Sequence, residues 1–162
     1  MVREALQHAL REVRSLSAGL GLPQLDKLTL DQLLAQVVQS HERRTGSRVR
    51  LLTEGLPDQA AAAVKTTLYR VTQEALTNAF RHAGGAGQAV RAWQSAGRIT
   101  IEIADEGPGF DPAGWDQSED HLGLAGMRDR AESMGGRFWL ESTLGRGTRV
   151  FATLPLLDEG EP

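Results

Sequence analysis

Apolar residues recur at three- and four-residue steps from the start of the chain, at Val2, Leu6, Leu10, Val13 and Leu16. That spacing predicts an amphipathic helix, closed by Gly19, Gly21 and Pro23. The helix opens without a convincing cap, as expected of one cut from a longer protein or paired with another chain. The next helix is better signalled. Thr29 can accept the backbone N–H of Gln32 while the Gln32 side chain reaches back, and Leu28 and Leu33 stand at staple positions. Thr45-Gly46 closes it with glycine just past the end. RVRLLT, Arg48 to Thr53, predicts a strand, and a long helix is expected from Pro57 to the Gly84-Gly85 pair.

Further along, the period changes to two. Ile99, Ile101 and Ile103 alternate within Arg98 to Asp105, which follows Gln88 to Ser95 across a short Ala96-Gly97 turn; this predicts an antiparallel hairpin. A polar loop, Gly107 to His121, leads into a helix over Leu122 to Met134. RFWLEST and TRVFATLP then form strands on either side of Leu144 to Gly147. Trp93 and Trp139 are expected to pack against helices, and the acidic tail Asp158 to Pro162 to fray. The element order predicts an α+β two-layer sandwich, a mixed sheet with helices on one face, and argues against a doubly wound parallel sheet.

Composition narrows the classes. A chain of 162 residues with 40% apolar and 24% charged residues suits one soluble domain with a real core, plus a short appendage. A net charge of -3 argues against a nucleic-acid surface. With no cysteine, neither a disulfide framework nor a thiolate zinc site can form. That suits a cytoplasmic protein. No apolar run approaches the roughly 18 residues that mark a membrane-spanning helix.

The chemistry concentrates in a few segments. Val64, Leu68, Val71, Ala75 and Ala79 fall on one face of the long helix. Asn78 and His82 lie in the same stripe and Glu74 at its edge, where burying polar groups is costly unless something satisfies them. One account has Asn78 capping a neighbouring strand and His82 at an exposed helix end. The other has a cavity between helix and sheet that takes polyphosphate and a divalent ion, for which amide and carboxylate oxygens are suitable donors. In DEGPGF, which alone reads most simply as an Asp-Glu-Gly turn, Asp105 ends the isoleucine strand, so a buried carboxylate there would need a donor, such as the exocyclic amine of adenine. Gly107 and Gly109 permit close backbone approach. HLGLAGMRDR places Gly123 and Gly126 where a loop enters a helix, a natural phosphate seat.

QEALTNAFRHA, DEGPGF, GLAGMRDRAESMGG and GRGTRVFATLPL stand in the order of the N-box, two glycine boxes and terminal strand motif. The series, spanning roughly Leu30 to Leu156, resembles the catalytic ATP-binding domain of sensor histidine kinases within the GHKL ATPase superfamily. The segment ALREVRSLSAGLGLPQLDKLTLDQLLAQVV resembles the end of the dimerisation segment in the subgroup partnered with helix-turn-helix response regulators. The resemblance implies a Bergerat-type fold binding ATP and magnesium. It implies Asn78 as the metal ligand and Glu74 as the acid/base group, with Arg81 and His82 near the phosphates. Asp105 would bind the adenine amine with help from Thr148. Gly107, Gly109, Gly123 and Gly126, with Leu124 and Met127, would shape the pocket. The stretch between Phe110 and Leu122 would be a lid, mobile until nucleotide arrives.

One departure matters. The four histidines are His8, His41, which falls in a polar helix end, His82 and His121, and none stands in the acidic helical context of the family's phosphoacceptor. The resemblance therefore implies a dimerisation remnant over 1–27, an ATP-binding domain over 28–157 and a tail over 158–162. The acceptor histidine would lie in the dimerisation domain of a longer, homodimeric parent, cytoplasmic or membrane-anchored, that relays phosphate to a response regulator. The chain itself would be monomeric. An anti-sigma-factor-type serine kinase and a non-catalytic nucleotide-sensing module are the alternatives; the EVRSLSAGL junction argues against the first and Glu74 against the second.

Overall fold

The computed structural model describes residues 2–20, 25–113 and 122–156. Its elements run α1 (Val2–Leu20), a short 3-10 turn (Leu25–Lys27), α2 (Leu30–Thr45), β1 (Arg50–Glu54), α3 (Ala62–Ala83), β2 (Ala89–Ser95), β3 (Arg98–Asp105), α4 (Leu122–Ser133), β4 (Arg137–Ser142) and β5 (Thr148–Pro155). The five strands make one sheet in the order β1-β2-β3-β5-β4. β1 runs parallel to β2 and every other pairing is antiparallel, so the sheet is mixed, as expected. The Phe110-to-Leu122 loop falls outside the described residues from 114 to 121, as does the tail.

Period-two alternation decides which side chains reach the core. Register aligns Val90, Ile103, Val150 and Leu140 in one row, and Ala92, Ile101, Ala152 and Phe138 in the next. These rows share one core cluster with Leu30, Leu33, Leu34 and Val37 of α2 and Val64, Leu68 and Val71 of α3, all buried. The α2 start is secured as its sequence predicts: Thr29 Oγ1 accepts Gln32 N–H at 3.2 Å and Gln32 Oε1 accepts Thr29 N–H at 3.0 Å. Gly46, at φ +70°, closes its end. The β2–β3 hairpin turns through Ala96 and Gly97, both at positive φ, which matches the twist of paired strands.

Four expectations need correction. α3 begins at Ala62, several residues beyond Pro57, and Ala61 offers no side-chain cap; its N–H is held by Leu156 O at 3.1 Å instead. The first strand starts two residues later than Arg48, where Arg50 N–H meets Gln88 O at 3.0 Å. Neither tryptophan packs under a helix. Trp139 is 38% exposed on the opposite, uncovered sheet face, stacked on Phe151 with ring centroids 5.0 Å apart and planes 3° from parallel. Trp93 lies on that face too, beneath the Arg91 guanidinium. His41 does not sit at a polar helix end: it is buried, with Nε2 3.0 Å from Gln88 Oε1, and burial holds its pKa below the usual histidine value.

An unpredicted feature ties the amino-terminal junction to the helical layer. Lys65, only 2% exposed, donates its ammonium to the carbonyl oxygens of Asp26 at 3.0 Å and Leu28 at 2.7 Å. Leu25 of the same turn is buried in the core. On α1, by contrast, Val2, Leu6, Leu10 and Val13 are exposed apolar residues.

Candidate functional site

The stripe along α3 changes size as it runs. Val64, Leu68 and Val71 are large enough to fill the space above the sheet; Ala75 and Ala79, one turn apart, are not. The resulting cavity, about 230 Å³, is lined by Ala75, Ala79, Ile103 and Val150 on its apolar side. Asn78, His82, Asp105, Gly109, Leu124 and Thr148 complete it, together with Pro108 and Phe110. Six of the predicted site residues therefore converge on one cavity between helix and sheet.

The others stand at varying distances from it. Arg81, exposed on the next turn of α3, donates from Nη2 to Asn78 Oδ1 at 3.2 Å. Glu74 approaches the start of α4, and a β-carbon added at Gly123 would run into its carboxylate and come within 3.0 Å of Asn78 Nδ2. Gly123 is thus glycine because helix α4 closes tightly on α3 there. Gly107 donates its N–H to Asp105 Oδ1 at 2.8 Å and lies against Ala83. Gly126 and Met127 do not line the cavity: Met127 is fully buried core, and a β-carbon at Gly126 would meet nothing closer than Arg130 at 4.0 Å. Gly126→Ala should consequently raise stability by about 0.5–1 kcal/mol through helix propensity. Gly123→Ala should gain nothing, because its methyl group must displace Glu74. Urea midpoints of the two variants check this.

Asp105 is the electrostatically strained member. Burial pushes its carboxyl above the usual carboxylate range, opposed by the backbone N–H groups of Gly107 and Thr148 and by the nearby His82. Its neighbours are fixed by register, with Asp105 opposite Thr148 across β3–β5 and Thr148 opposite Ser142 across β5–β4. The DEGPGF turn docks on the β4–β5 hairpin: Gly145 N–H meets Pro108 O at 2.6 Å, and Phe110 N–H meets Ser142 Oγ at 2.9 Å. Gly109 adopts φ +61°, and a β-carbon on it would strike Thr143 O. The GRGT segment is therefore a structural partner of the glycine turn, beyond its role as a hairpin. Ser142 was not singled out from the sequence, and Ala75 and Ala79 were placed in the apolar stripe but not in the site; the drop from large to small residues along that stripe was the available signal for the alanines.

Comparison with known proteins gives this geometry a family. A family model described as histidine kinase-, DNA gyrase B-, and HSP90-like ATPase matches residues 63–158. The sensor histidine kinase MctS of Rhizobium johnstonii is 36% identical over 153 residues, which is 94% of this chain and 33% of MctS. The histidine-protein kinase/phosphatase UhpB of Salmonella typhimurium is 34% identical over 144 residues, 88% of this chain and 28% of UhpB. The chain thus spans about a third of the length of these relatives. Among solved structures, the catalytic domain of histidine kinase ThkA superposes with TM-score 0.64 at 18% identity, covering 81% of this chain and 96% of that one. At that identity the likeness establishes the shared fold. With the family model matched across most of α3, the sheet and α4, the chain is a member of the histidine kinase-, DNA gyrase B- and HSP90-like ATPase family.

Proposed function

We propose that the chain is the ATP-binding catalytic module of a sensor histidine kinase, acting on a histidine carried by another segment of the parent protein. The observation that carries this reading is the convergence of Asn78, His82, Asp105 and Thr148 on one cavity between α3 and the sheet. Asp105 supplies an acceptor for the adenine amine at the deep end, and His82 and Arg81 bring donors to the phosphate end. Membership in the ATPase family and similarity to MctS and UhpB point the same way.

A magnesium ion fits the donor set. Asn78 Oδ1 is a hard oxygen already engaged by a cation, the Arg81 guanidinium. Among the described residues no group of three His, Cys, Asp or Glu side chains could hold a metal alone. That suits an ion held by one or two protein oxygens together with nucleotide phosphates, the usual arrangement for magnesium. Asn78 would hold it, and when bound it would neutralise phosphate charge. The chain's own residues do the rest: Asp105 orients the base, Arg81 and His82 draw the phosphates, and Glu74 accepts the proton leaving the attacking imidazole. Positioning and charge neutralisation are most of what phosphoryl transfer requires. The parent is a homodimer that passes the phosphate on to a response regulator, with this module on the cytoplasmic side.

The test uses the purified chain with labelled ATP, magnesium and a separately supplied histidine-bearing dimerisation domain. Glu74→Gln should slow transfer by about 100-fold or more while ATP affinity stays within a few-fold of wild type. Parallel loss of binding and transfer would make Glu74 a structural residue. Labelling of the chain in the absence of the supplied domain would contradict an external acceptor.

A further inference from the structure

The hydroxyl of Ser142 has three neighbours, and two of them dictate its single proton. Phe110 N–H, 2.9 Å away, can only donate, so Ser142 Oγ accepts there. Gly147 O, 3.2 Å away, can only accept, so Ser142 gives its proton to that carbonyl. The remaining contact is to Thr148 Oγ1 at 2.9 Å. All three bonds form together only when Ser142 accepts again and Thr148 donates. Thr148 then turns lone pairs alone toward the cavity it lines.

The consequence reaches the ligand. Asp105, opposite Thr148 in the sheet, is an acceptor when ionised, and its Oδ1 already takes the Gly107 N–H. The wall made by Asp105 and Thr148 therefore offers acceptors only. A base edge carrying an exocyclic amine is matched; one carrying a carbonyl oxygen meets lone pairs with no proton between them, and unpaired buried polar groups are penalised heavily. We propose that Ser142, which need not touch the nucleotide, is a specificity-determining positioning residue: it fixes the hydroxyl of Thr148 as an acceptor and so selects 6-amino over 6-oxo purine nucleotides. This inference rests on the adenine-nucleotide reading of the cavity.

Dissociation constants for ATP and for inosine triphosphate, which differs at the 6-position and the adjoining ring N–H, test it by displacement of a fluorescent nucleotide. Wild type should prefer ATP by about 100-fold or more. In Ser142→Ala the Thr148 hydroxyl is free to rotate and donate, so the preference should fall about tenfold, mostly through weaker ATP binding. Ser142→Thr, which keeps the hydroxyl, should restore it. Ser142→Cys, close in shape and a weak hydrogen-bonding partner, should behave as alanine does and serves if the alanine variant does not fold. Equal weakening of both nucleotides in the alanine and cysteine variants would reduce Ser142 to a structural brace and overturn the proposal. Failure of wild type to bind ATP would instead sink the nucleotide reading of the cavity itself.

Discussion

Asp105→Asn should abolish detectable ATP binding, a loss of about 100-fold or more, while the unliganded fold becomes no less stable at pH 7. The two effects have separate causes at one carboxylate. Burial raises the Asp105 pKa, so holding the group ionised costs folding free energy. For a carboxyl whose folded pKa lies above its unfolded value, that cost is absent below the unfolded pKa. It grows as pH rises toward the folded pKa and is fully present above it. Asparagine carries no such cost and can still accept the Gly107 N–H through its amide oxygen. The stability of Asp105→Asn relative to wild type should thus be more favourable at pH 7 than at pH 4, as read from urea midpoints. A larger deficit at pH 7 than at pH 4 would mean that the carboxylate is a net stabiliser. In the proposed function the nucleotide, by contrast, needs the ionised acceptor: replacing one oxygen with an NH₂ group would set donor against donor at the adenine amine.

The second large effect lies away from the cavity. Lys65→Ala should destabilise the chain by about 3 kcal/mol, roughly 6–12 °C in Tm for a domain of this size. The ammonium is buried and bonded to two carbonyl oxygens, Asp26 and Leu28, which lose their partner when it goes. Hydrogen bonds to charged groups are worth about 1.5–3 kcal/mol each, but the desolvation of the lysine offsets part of that gain. Lys65→Met, which fills the space and leaves the carbonyls unpaired, should fall between alanine and wild type. A change below about 0.5 kcal/mol for alanine would show that desolvation cancels the bonds entirely. Because Lys65 lies on the helix that carries Glu74 and Asn78, the same bonds also fix where the amino-terminal junction meets the site helix.

Local signals were legible where the chemistry is local. The Thr29 capping box, the Gly46 cap and the isoleucine alternation of β3 each depend on residues within a few positions, and each formed as read. The start of α3 did not, because the backbone before it is held by Leu156, far away in sequence. A period of two shows that a strand has two faces but not which one is covered. Trp93 and Trp139 were therefore assigned to the helical side, and they stand on the open one. Lysine is rarely buried, and nothing in the pattern around Lys65 announces partners that are backbone carbonyls. In the candidate site, the N-box and the first glycine motif lie on elements that line the cavity. What they could not give was the pairing of β4 with β5, which brings Ser142 beside Thr148 and makes an ordinary strand-end serine a neighbour of the cavity wall.

The central claim is that the cavity between α3 and the sheet binds an adenine nucleotide with magnesium. Titrating ¹⁵N-labelled chain with ATP, with and without magnesium, tests it most directly. The claim predicts saturable shifts in the amides of Gly107, Gly109, Gly123 and Thr148, and a magnesium-dependent shift of the Asn78 side-chain amide that an Asn78→Ala variant lacks. Shifts confined to other surfaces, or binding in Asn78→Ala with unchanged magnesium dependence, would contradict it.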